Sequence, residues 1–121
     1  MQLWFASRTG KVETIVSKLA LKNVKRIFDG NEVATEEYIL FTYTDGVGEV
    51  PKVVKAFLEL NHNLLRGVIG SGNKNFGQNF CKSVHVISEK YNVPILMKFD
   101  LGGNKTAIEE LKRILNEMNL V

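Results

Sequence analysis

The sequence predicts an α/β domain with a doubly wound, five-stranded parallel sheet and helices on both of its faces. Short strand-like runs alternate with segments whose apolar residues recur every three or four positions, which is the pattern of repeated β-α units. The chain has 121 residues, a common length for one domain, and no linker, repeat or low-complexity stretch divides it. We therefore predict a single domain spanning residues 1–121.

Three strands and two helices are predicted in the first half of the chain. The strands are QLWFA (2–6), VKRIF (24–28) and the strongly apolar YILFTY (38–43). The apolar stripe of the first helix consists of Val12, Ile15, Val16 and Leu19. The apolar stripe of the second helix consists of Val53, Val54, Phe57 and Leu58. Pro51 suits the first turn of this second helix, because a missing N–H costs nothing there.

Two strands and two helices are predicted in the second half. The strands are RGVIGS (66–71) and PILMKF (94–99). The third helix has an apolar stripe of Phe80, Val84, Ile87 and Tyr91. The closing helix has an apolar stripe of Ile108, Leu111, Ile114 and Met118. Asn104, within an NKT triplet, is predicted to start this last helix.

Composition and charge exclude several classes of function. No apolar run approaches the roughly 20 residues of a membrane span, and MQLWFASRTG resembles a first strand more than a signal peptide, so we expect a cytoplasmic protein without membrane association. The net charge of +3 is modest and the lysines are scattered, which argues against nucleic acid as a partner. Cys81 is the only cysteine, so disulfides and dithiol chemistry are excluded, and any electron chemistry needs a borrowed cofactor.

Three loops of similar composition follow predicted strands. The first loop is SRTGK (7–11), the second loop is TDGVGEVP (44–51), and the third loop is SGNKNFGQN (71–79). All three are rich in glycine together with hydroxyl or amide side chains. Doubly wound sheets bind ligands at the carboxyl ends of their strands, so these loops are the predicted binding site.

The first loop has the chemistry of a phosphate site. Ser7 and Thr9 offer hydroxyls, Gly10 lets the backbone approach closely, and the following helix begins with unpaired N–H groups. The alternative is that Thr9 is only an N-cap, with Glu13 nearby in the first turn. The loop is not a P-loop, and GSGNKN lacks the last glycine of a dinucleotide fingerprint, which excludes nucleoside triphosphates and NAD.

The other two loops suit a flat ring. Gly46 and Gly48 of the second loop allow close backbone approach, although a strand-to-helix turn also favours glycine. Phe76 of the third loop is an aromatic residue among polar neighbours, so a ring could stack on it. Alternatively, Phe76 folds back over the core.

Four segments of the sequence resemble the NrdI family of flavodoxin-like flavoproteins, which serve class Ib ribonucleotide reductase. The segments are SRTG, TYTDGVGEVP, LLRGVIGSGNKNFGQNF and VPILMKFDLGG, and the resemblance covers essentially the whole chain. The family's fold implies a flavodoxin-like sheet with strand order 2-1-3-4-5. The ends of strands one, three and four are then neighbours.

The resemblance implies bound FMN. Its phosphate would contact, mostly through hydroxyls and backbone N–H groups, Ser7, Arg8, Thr9, Gly10, Lys11 and Val12. Its isoalloxazine ring would lie between the second and third loops. The cofactor-binding residues implied in these two loops are Thr44, Asp45, Gly46, Val47, Gly48, Ser71, Gly72, Asn73, Phe76 and Gly77.

Gly46 is the residue that the resemblance places beside flavin N5. A glycine there can turn its peptide and present a carbonyl when N5 gains a proton, so Gly46 is the predicted catalytic position. Relatives of this short type can carry an aromatic residue at the position of Val47, so stacking on that side is predicted to be weaker here.

The resemblance also implies the activity. The reduced FMN would react with molecular oxygen and deliver a reactive oxidant, which the resemblance implies is superoxide, to the dimanganese site of the small subunit NrdF. The protein would be an activating factor rather than a stand-alone enzyme, would receive electrons from an unidentified flavin reductant, and would bind no metal itself.

Two other functions compete with this one. A generic flavodoxin that carries single electrons is the alternative, but typical flavodoxins are strongly acidic and this chain is net basic. A phosphoacceptor receiver domain needs acidic residues at the end of the first strand, where this chain has Ser7.

The remaining polar residues receive smaller roles. His62 and His85 have no ligand partners at metal-binding spacing and are assigned none. Asp45, Glu49 and Asp100 are predicted to shape a rim that faces the partner. Cys81 is predicted to be a small semi-buried residue, with a reactive thiol at a helix N-terminus as the alternative.

Overall fold

A computed structural model describes residues 1–120 as five parallel strands and four α-helices. The strands are β1 Gln2–Phe5, β2 Val24–Arg26, β3 Tyr38–Tyr43, β4 Leu65–Gly72 and β5 Ile95–Asp100. The helices are α1 Lys11–Lys18, α2 Lys52–Asn61, α3 Lys82–Tyr91 and α4 Lys105–Glu117. The strand order is β2-β1-β3-β4-β5, which confirms both the predicted fold class and the implied topology.

All neighbouring strands pair in parallel, with β3 at the centre. Leu3 of β1 pairs with Val24 on one side and Ile39 on the other. The β3–β4 and β4–β5 pairings each contain one irregularity, near Ile39 and near Val68. Because all five strands run the same way, their carboxyl ends and the loops that follow them share one edge of the sheet.

Two separate cores cover the two faces of the sheet. Alternate residues of a strand point to opposite faces, so Leu3 and Phe5 of β1 pack with one pair of helices while Trp4 packs with the other pair. The α1/α4 core includes Ile15, Ile39, Phe41, Ile69, Phe99, Leu111 and Leu115. The α2/α3 core includes Tyr38, Leu40, Val54, Phe57, Val68, Val84 and Ile87. The placement of helices on both faces is confirmed.

Several predicted boundaries and buried positions differ from the structure. Strand β2 ends at Arg26, although the N–H of Ile27 still donates to Phe5 O at 2.8 Å. Helix α4 buries Leu115 and leaves Ile114 only half-buried, because the buried positions follow the i, i+3, i+7 spacing from Ile108. Pro51 precedes α2 as its N-cap instead of lying in its first turn.

Two short 3-10 turns of the structure were not predicted, whereas the start of α4 was predicted correctly. The 3-10 turns His62–Leu64 and Lys74–Asn79 are too short to carry an apolar period. The start of α4 is as predicted, because Asn104 Oδ1 accepts from the N–H of Ala107 at 2.8 Å.

Asn61, at the end of α2, holds the segment before β3 against the helix. Its Oδ1 accepts from the N–H of Ala34 at 2.8 Å, and its Nδ2 donates to Glu32 O and Phe57 O, both at 2.9 Å. The side chain is buried, so water cannot replace these bonds. One amide therefore satisfies three backbone groups.

Replacing Asn61 by alanine is expected to lower the free energy of unfolding by about 2–3 kcal/mol, because it leaves backbone groups unpaired in a buried site. The measurement is urea denaturation followed by circular dichroism. Asn63, in the exposed turn two residues later, gives the matched control: its substitution by alanine should change stability by less than about 0.5 kcal/mol. Equal effects at the two positions would contradict this account of Asn61.

Candidate functional site

A cleft lies at the carboxyl edge of the sheet, where the loops after β1, β3 and β4 meet. Its volume is about 300 Å³. The lining residues are Ser7, Arg8, Thr9, Lys11, Val12, Tyr43, Thr44, Gly46, Ser71, Gly72, Asn73, Phe76, Asn79 and Leu101. The three loops singled out in the sequence are therefore brought together in one place.

Most of the predicted site residues line this cleft, and a few lie beside it. Those outside the lining are Gly10, Asp45, Val47, Gly48 and Gly77, each in a loop whose neighbours do line it. Tyr43, Asn79 and Leu101 line the cleft and were missed. Tyr43 ends an apolar strand and Asn79 lies in the third loop, so proximity to predicted residues was the available signal. Leu101 follows β5 and comes close because Ser71 Oγ donates to its carbonyl at 2.8 Å.

The first loop leads into α1 through a glycine at the N-cap position. Gly10 is the N-cap with φ 88°, a left-handed conformation that favours glycine, and as a glycine it has no side chain to cap the helix. The alternative of Thr9 as N-cap is therefore wrong. Ser7 Oγ instead accepts from the N–H of Glu13 at 3.3 Å. Other first-turn N–H groups have no helical acceptor, so this end of the cleft can bind an anion.

Val12 can contribute only its backbone to the cleft. Its side chain is 2% exposed and packs in the α1/α4 core. Thr9 is exposed and lines the cleft. This end of the cleft therefore presents hydroxyls and backbone donors.

The second loop is closed on itself and anchored to α3. Asp45 and Glu49 form an antiparallel bridge in which each N–H donates to the other's carbonyl at 2.8 Å. Thr44 Oγ1 accepts from the N–H of Ser83 at 3.2 Å and lies 2.8 Å from Ser83 Oγ. Gly46 occupies the bend with φ 48°, a conformation that is costly for most other residues. Its backbone is thus held in a defined place at the cleft.

The third loop turns an aromatic ring outward. The 3-10 turn Lys74–Asn79 is kinked at Gly77, with φ 56° and ψ −117°. Asn73 Oδ1 accepts from the N–H of Asn75 at 2.9 Å, and Asp100 Oδ1 accepts from the N–H of Lys74 at 3.0 Å. Phe76 lies on this turn, lines the cleft and is 63% exposed, so the alternative that it folds over the core is wrong.

Charge and aromaticity are separated along the cleft. Its charged lining side chains, among residues 1–120, are the cations Arg8 and Lys11 at the end near α1. Tyr43 and Phe76 supply aromatic surface. Burial, and then the nearby carboxylate of Asp45, raise the pKa of Tyr43, so its hydroxyl stays neutral. The cleft suits a ligand with an anionic group at one end and a flat ring at the other.

A larger groove of about 470 Å³ between α2 and α3 has a different character. It is lined mainly by lysine and aliphatic side chains, and Gly48 is its one residue from the predicted site among those that the structure describes. Size alone would favour this groove. The convergence of loops at the carboxyl ends of the strands favours the smaller cleft instead.

Three flavodoxins of known structure share this fold. Oxidised flavodoxin 1 from Bacillus cereus is 20% identical, with a TM-score of 0.71, and the alignment covers 97% of this chain and 95% of that one. A short-chain flavodoxin associated with a non-canonical PDU bacterial microcompartment is 18% identical, with a TM-score of 0.71 and coverage of 95% and 93%. A cysteine-to-serine mutant of flavodoxin from Pseudomonas aeruginosa is 19% identical, with a TM-score of 0.64 and coverage of 98% and 96%. At these identities the similarity establishes the fold.

The family model described as "NrdI Flavodoxin like" matches residues 3–113. The chain belongs to this NrdI flavodoxin-like family. The match includes β1 to β5 and all three loops of the cleft, so the resemblance seen in the sequence is confirmed. NrdI proteins are associated with ribonucleotide reductase, and the family and fold together imply a flavin cofactor. No helix within residues 1–120 is long and apolar enough to cross a membrane.

Cys81 is buried behind the cleft of this NrdI chain. Its side chain is inaccessible, and Sγ lies 3.8 Å from Phe99 O. Burial raises the pKa of the Cys81 thiol to about 11, with Lys98 opposing and Asp100 reinforcing the shift. Cys81 is therefore a packing residue, as predicted, although it is fully buried and not semi-buried, and the reactive-thiol alternative is wrong.

Native protein at pH 8 is expected to leave Cys81 unreacted with Ellman's reagent for hours, whereas guanidinium-unfolded protein should release one equivalent of thiolate at once. The raised pKa also predicts a pH effect on stability. The folded state keeps its proton where the unfolded thiol loses it, so the free energy of unfolding should fall as pH rises from about 9 to about 11. Cys81→Ala should remove this contribution to the decrease in the free energy of unfolding with pH. Fast labelling of the native protein would contradict the burial.

The two histidines lie away from the cleft. His62 Nδ1 is 3.0 Å from Leu58 O, and its ring stacks on Tyr91 with a centroid distance of 5.4 Å. His85 Nε2 is 3.1 Å from Lys98 Nζ on the surface. Neither residue lines the cleft.

Proposed function

We propose that this NrdI-family chain binds FMN in the cleft and activates class Ib ribonucleotide reductase by supplying an oxidant to the dimanganese site of the small subunit NrdF. The proposed oxidant is superoxide, and electrons come from a separate flavin reductant. One observation carries the proposal: a single cleft joins a glycine-capped helix N-terminus to an outward-facing phenylalanine. That combination suits a phosphate and an isoalloxazine ring in one ligand.

The phosphate end is assigned to the first loop. Ser7 and Thr9 supply hydroxyls, Gly10 leaves space above the backbone because nothing lies within 4 Å of where a Cβ would be, and Lys11 adds a positive charge. Arg8 and Val12 contribute their backbone N–H groups. A charged phosphate gains from these donors and from the helix dipole together.

The ring end is assigned to the second and third loops. Phe76 offers a face on which the ring would stack, and Gly72 and Asn73, which line the cleft at the end of β4, would contact the ring edge. Gly46 is the residue whose peptide would face N5, and Thr44, Asp45, Val47 and Gly48 would hold the bend around it. When bound, FMN supplies the electron-transfer chemistry that the side chains lack. The chain holds the ring at an open edge that oxygen and a partner can reach.

An exposed apolar rim supports a protein partner at this edge. Val47 is 75% exposed, Phe76 63% and Leu101 39%, and these residues belong to the loops around the cleft. Large apolar side chains on one exposed rim are typical of interaction sites. We assign this rim to contact with NrdF, in the cytoplasm, where a single unpaired cysteine stays reduced.

The experiment combines anaerobically reduced, FMN-loaded protein with manganese-loaded NrdF and then admits oxygen. The expected result is a tyrosyl radical, detected by electron paramagnetic resonance, that forms only when all three components are present. A matched mixture with a flavodoxin in place of this protein is the control. If no radical forms while the protein transfers single electrons to a standard acceptor, the alternative of a generic electron carrier is correct.

A further inference from the structure

Arg8 reaches across the cleft from the first loop to the second. Its guanidinium NH1 lies 2.6 Å from Asp45 Oδ1, and its Cζ lies 5.4 Å from the centre of the Tyr43 ring. The pair is partly exposed, with the Arg8 side chain 60% accessible. The side chain is thus engaged with the second loop, and its charge is directed to a carboxylate.

Asp45 is also the residue on which the second loop closes. Its carbonyl accepts from the N–H groups of Gly48 at 3.1 Å and Glu49 at 2.8 Å. Gly46 is held inside this closed turn. A force that fixes the carboxylate of Asp45 therefore also fixes the position of Gly46 relative to the first loop.

We propose that Arg8 is a positioning residue whose ion pair with Asp45 fixes the second loop relative to the first, so that the phosphate site and the ring site are presented in one geometry. This inference rests on the proposed FMN site. It assigns the guanidinium to Asp45 and Tyr43, and leaves the phosphate to the hydroxyls and backbone N–H groups of the first loop. Lysine cannot replace it, because an ammonium lacks the planar fork that contacts a carboxylate and a ring together.

The first experiment tests the Arg8–Asp45 ion pair in the flavin-free protein. Hydrogen exchange at the amides of Gly48 and Glu49 should be about fivefold faster in Arg8→Ala and in Asp45→Ala, and no faster in the double variant, because each change removes the same contact. Arg66→Ala is the control, since Arg66 forms a comparable 2.7 Å ion pair with Glu37 at the opposite edge of the sheet. Unchanged exchange, or effects that multiply in the double variant, would overturn the proposal.

Flavin binding then separates positioning from direct phosphate contact. Positioning predicts that Arg8→Ala and Asp45→Ala each weaken FMN about fivefold, that Arg8→Lys does so nearly as much, and that the double variant is no worse. The binding of riboflavin, which lacks the phosphate, should weaken by the same factor in these variants. If Arg8→Ala weakened the binding of FMN but not of riboflavin, and Asp45→Ala changed neither, Arg8 would contact the phosphate directly. That result would overturn the positioning role of Arg8. Failure of the unaltered protein to bind FMN would instead refute the proposed function. The hydrogen-exchange experiment would still show whether the Arg8–Asp45 ion pair fixes the second loop.

Discussion

Replacing Phe57 by alanine is expected to lower the free energy of unfolding by about 3–5 kcal/mol, the largest effect of any single substitution considered for this protein. Phe57 is fully buried at the centre of the α2/α3 core. Its ring lies 4.8 Å from that of Trp4 and 5.5 Å, edge-on, from that of Tyr38. The substitution removes both contacts and leaves a cavity that strands β1 and β3 cannot close.

Chemical denaturation followed by circular dichroism measures this loss. Phe28→Ala is the matched control, because Phe28 is 73% exposed and its removal should change stability by less than about 1 kcal/mol. The loss of stability in Phe57→Leu should lie between the losses in Phe57→Ala and Phe28→Ala. A loss below about 1 kcal/mol for Phe57→Ala would mean that the α2/α3 core is not packed as described.

Replacing Thr9 by glutamate is expected to weaken FMN binding at least about 100-fold, because it places a carboxylate among the donors assigned to the phosphate. Thr9 is exposed in the cleft, so stability should change little. Riboflavin should bind Thr9→Glu about as well as the unaltered protein, since it has no phosphate to repel. The measurement is quenching of flavin fluorescence on titration with protein.

Thr106→Glu supplies the control for added charge. Thr106 is also exposed and also lies at the start of a helix, α4, away from the cleft lining. This variant should bind FMN unchanged. Equal loss in the two variants would show that net charge governs binding, and equal loss of riboflavin and FMN in Thr9→Glu would place the phosphate elsewhere.

The strands and helices could be predicted because their signals are local. Apolar runs such as YILFTY and the stripe Val12, Ile15, Val16 and Leu19 reflect burial on one or both faces, which periodicity reports directly. The phase of α4 was misjudged because Ile114 and Leu115 are adjacent apolar residues, and only packing against the sheet decides which one is buried.

The features that were not predicted depend on tertiary geometry. Strand order came from the family resemblance, since periodicity carries no information about neighbours. The outward turn of Phe76 depends on the kink at Gly77, and the Arg8–Asp45 contact depends on two strand ends being adjacent. Leu101 lies at the cleft because its carbonyl accepts a hydrogen bond from Ser71 of β4, a contact that no sequence pattern predicts.

Reconstitution of the flavin-free protein with FMN tests the central claim most directly. The protein is titrated into FMN while fluorescence and the visible spectrum are recorded. The account predicts stoichiometric quenching, with protein-bound flavin bands at roughly 370 and 450 nm that remain after desalting. Free FMN recovered unquenched after desalting, with the protein folded by circular dichroism, would contradict the assignment of this cleft as a flavin site.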